Sequence, residues 1–290
     1  MSWWQLHITQ SPIDPEKLSD QLSELKAVSV SFEDAADEPI LEPELGTMPL
    51  WQQTKISALF NNESNCQTAL NYLQQHFPSA HVVMETFADQ VWERAWMDHF
   101  QPMRFGKRTW VCPSTHEPPD KTAVNLLLDP GLAFGTGTHP TTALCLEWID
   151  GAELKDKIVV DYGAGSGILG IAALLHGAAH VYAVDHDEQA LQASRDNALR
   201  NQVNDHLSVF LPNALPKTLQ ADFILANILA TPLIKLAPEF ARLLKPRGQV
   251  VLSGILVEQK DAILQAYQPF FTHFVTTPQT GWLRVVASKI

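Results

Sequence analysis

The chain has 290 residues, 46% hydrophobic and 18% charged, a globular balance that suggests two domains at about 100–200 residues each. No apolar run reaches the ~18 residues that span a bilayer, and the opening MSWWQLHITQ lacks the basic-then-apolar order of a secretory leader. The net charge of −12 is unevenly spread: residues 1–100 hold 15 Asp and Glu against 4 Lys and Arg, and residues 101–290 hold 17 against 16. An acidic first third repels phosphate backbones and attracts basic partners.

In chain order, Trp3 to Thr9 reads as a strand and Pro12 to Leu25 as a helix, with Leu18, Leu22 and Leu25 at helical spacing and Pro15 near its start. Ala27 to Glu33 alternates as a strand does. After an acidic, proline-bearing connection the pattern repeats, with a strand from Gln53 to Phe60, a helix from Glu63 to His76 and a strand from His81 to Phe87. The order β-α-β-β-α-β predicts a small ferredoxin-like α+β domain over residues 1–88. Asp89 to Phe100 predicts a short helix closed by Pro102, its Trp92, Trp96 and Phe100 sharing one face, within a linker over 89–104.

Residues 105–290 alternate strands with helices and predict a doubly wound, mostly parallel α/β sheet. KIVVDYGAGSG runs from a strand into a glycine turn, and Ile168 to His176 continues as a helix stopped at Gly177. HVYAVD, LSVFL, ADFILANIL and GQVVLSGIL supply further strands, with helices at Glu188 to Arg200, Pro232 to Leu244 and Glu258 to Tyr267. The last two strands, Phe270 to Thr277 and Gly281 to Ser288, are joined by so short a link, Pro-Gln-Thr-Gly, that they must be antiparallel.

Chemistry concentrates at Asp161-Tyr162-Gly163-Ala164-Gly165-Ser166-Gly167, where glycines let backbone amides approach a ligand. Asp185, at the end of the next strand, is placed to accept hydrogen bonds from both hydroxyls of a ribose. Gly165 to Gly170 also matches G-x-G-x-x-G, so an NAD oxidoreductase is the rival reading. Asp161 separates the two, because a carboxylate there repels a pyrophosphate and suits a cofactor with a cationic ammonium group, such as S-adenosylmethionine. Upstream, Asp129 to Thr142 (DPGLAFGTGTHPTT) has glycines around Phe134 but no Walker G-K-[ST], and reads as a flap in which Thr136 or Thr142 offers a hydroxyl. Asn227 ends the fourth strand, where its carbonyl could hold an incoming amine in line with a methyl group. His139 is the one candidate base and reads as structural. No metal site is expected: there is no H-E-x-x-H, His176 and His180 flank Gly177, and Cys66, Cys112 and Cys145 form no C-x-x-C pair. Three such cysteines suit a reducing cytoplasm. Ser166 lacks the G-x-S-x-G frame of a hydrolase.

Taken together, WERAWMDHFQPMRFG, DPGLAFGTGTHPTT, VVDYGAGSGILGIAA, VDHDEQALQASRDNA, NILATPL and LSGIL closely resemble the methyltransferases of ribosomal large-subunit protein L-eleven (L11). The resemblance implies a class I S-adenosylmethionine-dependent fold behind a ferredoxin-like substrate-recognition domain and a linker helix. It implies methyl transfer to amino groups of L11, the N-terminal α-amine and lysine side chains, with cofactor contacts at Thr142, Gly163, Asp185 and Asn227. Asp161, Gly165, Gly167, Phe134, Gly135 and Thr136 complete the expected site. Ala164 stands where many relatives carry Cys or Thr. The acidic first third gains a purpose, docking a basic ribosomal protein rather than RNA. That charge disfavours an RNA or small-molecule methyltransferase, and the intact cofactor loop disfavours a non-catalytic ribosome-binding module. No membrane partner is expected.

Overall fold

The computed structural model describes residues 2–9, 13–36, 50, 51, 53–88, 101–129 and 139–290. The chain divides into two compact units, Met1–Trp92 and Glu93–Ile290. The helix expected over Asp89 to Phe100, and Phe134, Gly135 and Thr136 of the expected flap, lie outside the described residues.

The first unit runs β1 (Ser2–Thr9), α1 (Pro15–Glu24), β2 (Ser29–Asp34), β3 (Thr54–Phe60), α2 (Glu63–His76) and β4 (His81–Ala88). Its sheet has the order β2-β3-β1-β4 with every neighbouring pair antiparallel, so each helix joins two strands that a third separates. Helix α1 starts at Pro15 because Asp14 caps it, its Oδ1 accepting from Glu16 N at 3.0 Å and Lys17 N at 3.3 Å. Asn62 caps α2 in the same way. Leu18 and Leu22, with Cys66, Ala69 and Leu73, lie at helical spacing and bury against Leu6, Ile8, Ile56, Ala58 and Phe60, alternate residues of the two central strands.

The second unit opens with a small sheet of three short strands, β5 (Met103–Phe105), β6 (Thr109–Cys112) and β7 (Val124–Leu127). Met103 and Arg104, at the end of the expected linker, therefore belong to a strand. Helix α3 (Pro140–Gly151) leads to β8 (Ile158–Tyr162), α4 (Ile168–Leu175), β9 (His180–Val184), α5 (Glu188–Arg200) and β10 (Leu207–Phe210). Then come β11 (Ala221–Asn227), α6 (Ala230–Leu243), β12 (Leu244–Leu256), α7 (Lys260–Tyr267), β13 (Phe271–Gln279) and β14 (Trp282–Lys289). The large sheet has the order β10-β9-β8-β11-β12-β14-β13, parallel as far as β12 and antiparallel on either side of β14.

Its central strands are apolar on both faces. Val159 joins the layer of Cys145, Ile149, Ile171 and Ala172, from α3 and α4, while Val160 joins that of Leu233, Phe240, Ile263 and Tyr267, from α6 and α7. Helix α6 begins at Ala230, two residues before the expected Pro232, because a proline in the first turn lacks an N–H that has no helical partner anyway. The expected helix from Glu258 is a 3-10 turn, Val257–Gln259, followed by α7.

Asp150, near the end of α3, anchors the hairpin of β5 and β6. Its carboxylate accepts from Lys107 N at 2.7 Å, Arg108 N at 2.8 Å and Thr109 Oγ1 at 2.8 Å, and Thr109 Oγ1 in turn meets His176 Nε2 at 2.8 Å. Burial works against ionisation, but these hydrogen bonds outweigh it and hold the Asp150 carboxyl below its ordinary value. Asp150→Ala should cost about 3 kcal/mol in urea unfolding, since it leaves three donors without an acceptor. The depressed carboxyl stabilises only while ionised, so the difference should shrink as pH falls through its folded value. A loss below about 1 kcal/mol would show that the hairpin is held by other means.

Candidate functional site

Strand order reverses between β8 and β11, and an open α/β sheet binds ligands at such a switch point, outside the carboxyl ends of its strands. There the chain leaves β8 through Gly163, Gly165 and Gly167, at φ angles of 77°, 54° and 78° that disfavour a side chain. Gly163 N and Ala164 N both donate to Val184 O, at 2.7 and 3.0 Å, tying the turn to the end of β9. From α5, Ser194 Oγ donates to Gly165 O at 3.0 Å and Asn197 Nδ2 to Ser166 O at 2.9 Å. The loop is thus braced through both its amides and its carbonyls.

Two carboxylates flank it. Asp185 is only 8% exposed; its Oδ2 accepts from Gly165 N at 2.9 Å and its Oδ1 from Asp187 N at 3.1 Å. Each carboxylate oxygen has room for a second donor, so Asp185 keeps capacity for a pair of hydroxyls. Asp161 is 2% exposed, and its Oδ2 accepts from Gly170 N at 2.8 Å. That amide lies in the first turn of α4, whose cap residue Gly167 has no side chain to offer, so Asp161 caps the helix from the preceding strand. Burial raises the Asp161 carboxyl to about 7, against the Gly170 hydrogen bond and with help from the negative charge of Asp185.

Asn227 ends β11, and its Nδ2 donates to Oγ1 of Thr142, in the first turn of α3, at 3.2 Å. Thr142 is fully buried, and the bond leaves Asn227 Oδ1 as an acceptor. The next residue, Ile228, links this pair to the glycine turn. A side-chain carbon at Gly163 would overlap Ile228 Cγ2, and one at Gly254 would overlap the Ile228 carbonyl oxygen. Gly163 is therefore required by packing against Ile228 in addition to any ligand, a role that its place in the motif concealed.

His139 is the N-cap of α3: Thr141 N donates to its Nδ1 at 3.3 Å, and its ring stands edge-on to Trp282 with centroids 4.8 Å apart. Burial lowers its pKa, so at neutral pH it is an uncharged capping group. Trp282 went unnoticed in the sequence because an aromatic residue at the start of a final strand reads as core. Among the described residues no group of three or more His, Cys, Asp or Glu is arranged to hold a metal ion.

The amides of Gly163, Ala164, Gly165, Gly167 and Gly170 all have intramolecular acceptors. A pyrophosphate needs such amides free, and here it would also meet two carboxylates. The site offers acceptors instead, Asp185 and Asn227 Oδ1, beside the buried carboxyl of Asp161. That donor-poor, acceptor-rich set fits a ligand with sugar hydroxyls and positive charge.

The family model described as ribosomal protein L11 methyltransferase (PrmA) matches residues 2–290. A protein of Marinobacter nauticus named ribosomal protein L11 methyltransferase is 51% identical over 296 residues, covering 100% of this chain and 99% of its own length. One of the same name from Azotobacter vinelandii is 52% identical, covering 98% of each. The crystal structure of ribosomal protein L11 methylase from Lactobacillus delbrueckii subsp. bulgaricus superimposes with a TM-score of 0.59 at 31% identity, over 66% of this chain and 98% of that one.

Gly163→Ala should destabilise the second unit by about 2 kcal/mol, and combining it with Ile228→Ala should reveal a favourable coupling of about 1 kcal/mol in a double-mutant cycle. Strict additivity would mean that Ile228 does not press on the turn. The raised carboxyl of Asp161 has its own signature. Unfolded, it ionises near 4, but folded it keeps its proton to about 7, so stability from this group is greatest at acid pH and is lost as pH rises through 7. Asp161→Asn retains an acceptor for Gly170 N and removes that slope. Thermal melts from about pH 5 to about pH 8 should show wild type losing ground to the variant, and parallel curves would overturn the assignment.

Proposed function

From the membership of this chain in the ribosomal protein L11 methyltransferase family, we propose that it transfers methyl groups from S-adenosylmethionine to amino groups of L11, the N-terminal α-amine and lysine side chains. The observation that carries the reading is the acceptor set at the switch point, Asp161, Asp185 and Asn227 around a turn whose amides are already bonded. When bound, S-adenosylmethionine supplies a sulfonium methyl open to nucleophilic attack. Asp185 receives the ribose hydroxyls, and Gly163, Gly165 and Gly167 let the backbone come close to the cofactor. Asp161 faces the ammonium group, whose positive charge draws its carboxyl back toward the ionised form. Phe134, Gly135 and Thr136 complete the cofactor enclosure in this proposal, and the buried hydroxyl of Thr142 orients Asn227.

Asn227 Oδ1 accepts a hydrogen bond from the incoming amine and aims its lone pair at the methyl carbon. Only a neutral amine has that lone pair, so an α-amine of pKa about 7.7–8 is closer to readiness than a lysine at about 10.4. His139 serves as a helix cap in this reading, and positioning carries the catalysis. Residues 1–88 form the substrate-recognition domain, and the linker that follows ends where β5 begins at Met103. The acidic first third docks a basic protein, not nucleic acid. Among the described residues no helix is long and apolar enough to cross a membrane, and Cys66, Cys112 and Cys145 are free and buried, which suits a reducing cytoplasm.

Calorimetric titration with S-adenosylmethionine, using NAD as the control ligand, tests the cofactor. Saturable binding weakened at least about 30-fold by Asp185→Ala is expected, as is a kcat reduced about 100-fold by Asn227→Ala in methyl transfer to L11. Saturable NAD binding with no response to S-adenosylmethionine would replace this reading with the oxidoreductase.

A further inference from the structure

Helix α5 braces the glycine turn with Ser194 and Asn197, and its last turn also reaches the start of a second motif. Asn197 is 9% exposed; its Nδ2 donates to Ser166 O at 2.9 Å and its Oδ1 accepts from Arg200 Nη1 at 2.8 Å. Turning that amide over would set oxygen against oxygen at one end and N–H against N–H at the other, so the side chain has one orientation. Arg200 Nη2 lies 3.6 Å from Asp129 Oδ2. Asp129 in turn accepts from Ser114, through Oδ1 from N at 2.7 Å and through Oδ2 from Oγ at 2.8 Å. Ser166, Asn197, Arg200, Asp129 and Ser114 thus form one unbroken run of polar contacts.

The run joins the two stretches of sequence singled out for the cofactor. Ser166 belongs to the glycine turn, and Asp129 opens DPGLAFGTGTHPTT, the stretch that carries Phe134, Gly135 and Thr136. Holding strand β7 does not require it. That strand pairs with β6, and Asn201 meets Leu127 as a neighbouring strand would, its Oδ1 accepting from Leu127 N at 2.7 Å and its Nδ2 donating to Leu127 O at 2.8 Å. The pair of Arg200 and Asp129, with side chains 37% and 22% exposed, adds a charged tether beyond that anchor. A partly exposed ion pair contributes little to stability by itself, so its value lies in placement.

Resting on the cofactor role proposed above, we propose that Asn197 and Arg200 are positioning residues for S-adenosylmethionine. They fix the point from which DPGLAFGTGTHPTT departs relative to the glycine turn, and they act through Asp129 and Ser166, not by contact with the cofactor.

Arg200→Met removes the guanidinium and keeps an apolar stem, and Asp129→Asn keeps an acceptor for Ser114 and removes the charge. In calorimetric titrations of the full chain each variant should weaken S-adenosylmethionine binding about tenfold. The double variant should also lose only about tenfold, because the second change finds the run already broken. KM for the cofactor should rise in parallel, with kcat at saturating cofactor and KM for L11 unchanged, and melting temperatures within about 3 °C of wild type. Arg195→Met removes an exposed arginine of the same helix outside the run and should leave affinity as it was. Hydrogen exchange in the ligand-free chain needs no cofactor: Asp129→Asn should speed exchange of the Gly165 and Gly167 amides several-fold. Losses that multiply to about a hundredfold in the double variant, an equal loss in Arg195→Met, or unchanged exchange in the turn overturns the proposal. A wild type that binds no S-adenosylmethionine would defeat the proposed function instead, and the exchange measurement then decides whether Asp129 is coupled to the turn.

Discussion

Ile228, the residue after β11, lies between Gly163, just past the end of β8, and Gly254 in β12: its side chain occupies the space a Cβ would take at the first and its backbone the space at the second. Most of what surrounds the switch point depends on that insertion. It brings the end of β11 against the glycine turn, so Asn227 and the turn cannot move independently. Thr142 fixes Asn227 from the other side, through a hydrogen bond between residues 85 positions apart. The result is a site whose two halves, the glycine turn and the Asn227–Thr142 pair, meet at Ile228.

The glycine turn is rigid for a different reason. Its amides are bonded to Val184 O and to the carboxylates, its carbonyls to α5, and little freedom remains to be lost when a ligand arrives. Asp161 shows how tightly these duties are combined. It serves as the helix cap that Gly167 cannot be, sits beside Asp185, and is buried deeply enough for its carboxyl to rise to about 7. A group balanced between charged and neutral forms near physiological pH responds strongly to a nearby cation, and an exposed carboxylate would not.

Much of this was legible in the residues. Helix α5 begins and ends where its composition says, with Asp187 as cap and Glu188 and Arg200 matched to the helix dipole. The antiparallel pair β13 and β14 follows from a link too short for a crossover. What stayed hidden has physical causes. Strands β5 to β7 have only three or four residues each, too few for alternation to register, and Asp150 organises β5 and β6 from more than 40 residues away. The partnership of Thr142 with Asn227 and the fit of Ile228 against two glycines are long-range contacts with no local signature. Glycines in a binding motif are read as room for a ligand, and at Gly163 part of that room belongs to the protein.

The order of the last strands bears on how the sheet assembles. Strand β14 follows β13 in the chain but lies between β12 and β13 in the sheet, and among the described residues β13 has no other neighbour. A nascent chain emerging in order therefore displays β13 as a strand with nothing to pair with until β14 has left the ribosome. Before that moment the exposed edge of β12 is open to other strands, and such edges invite aggregation. The edge of β12 is thus completed only once β14 is available, and β13 joins the sheet through β14.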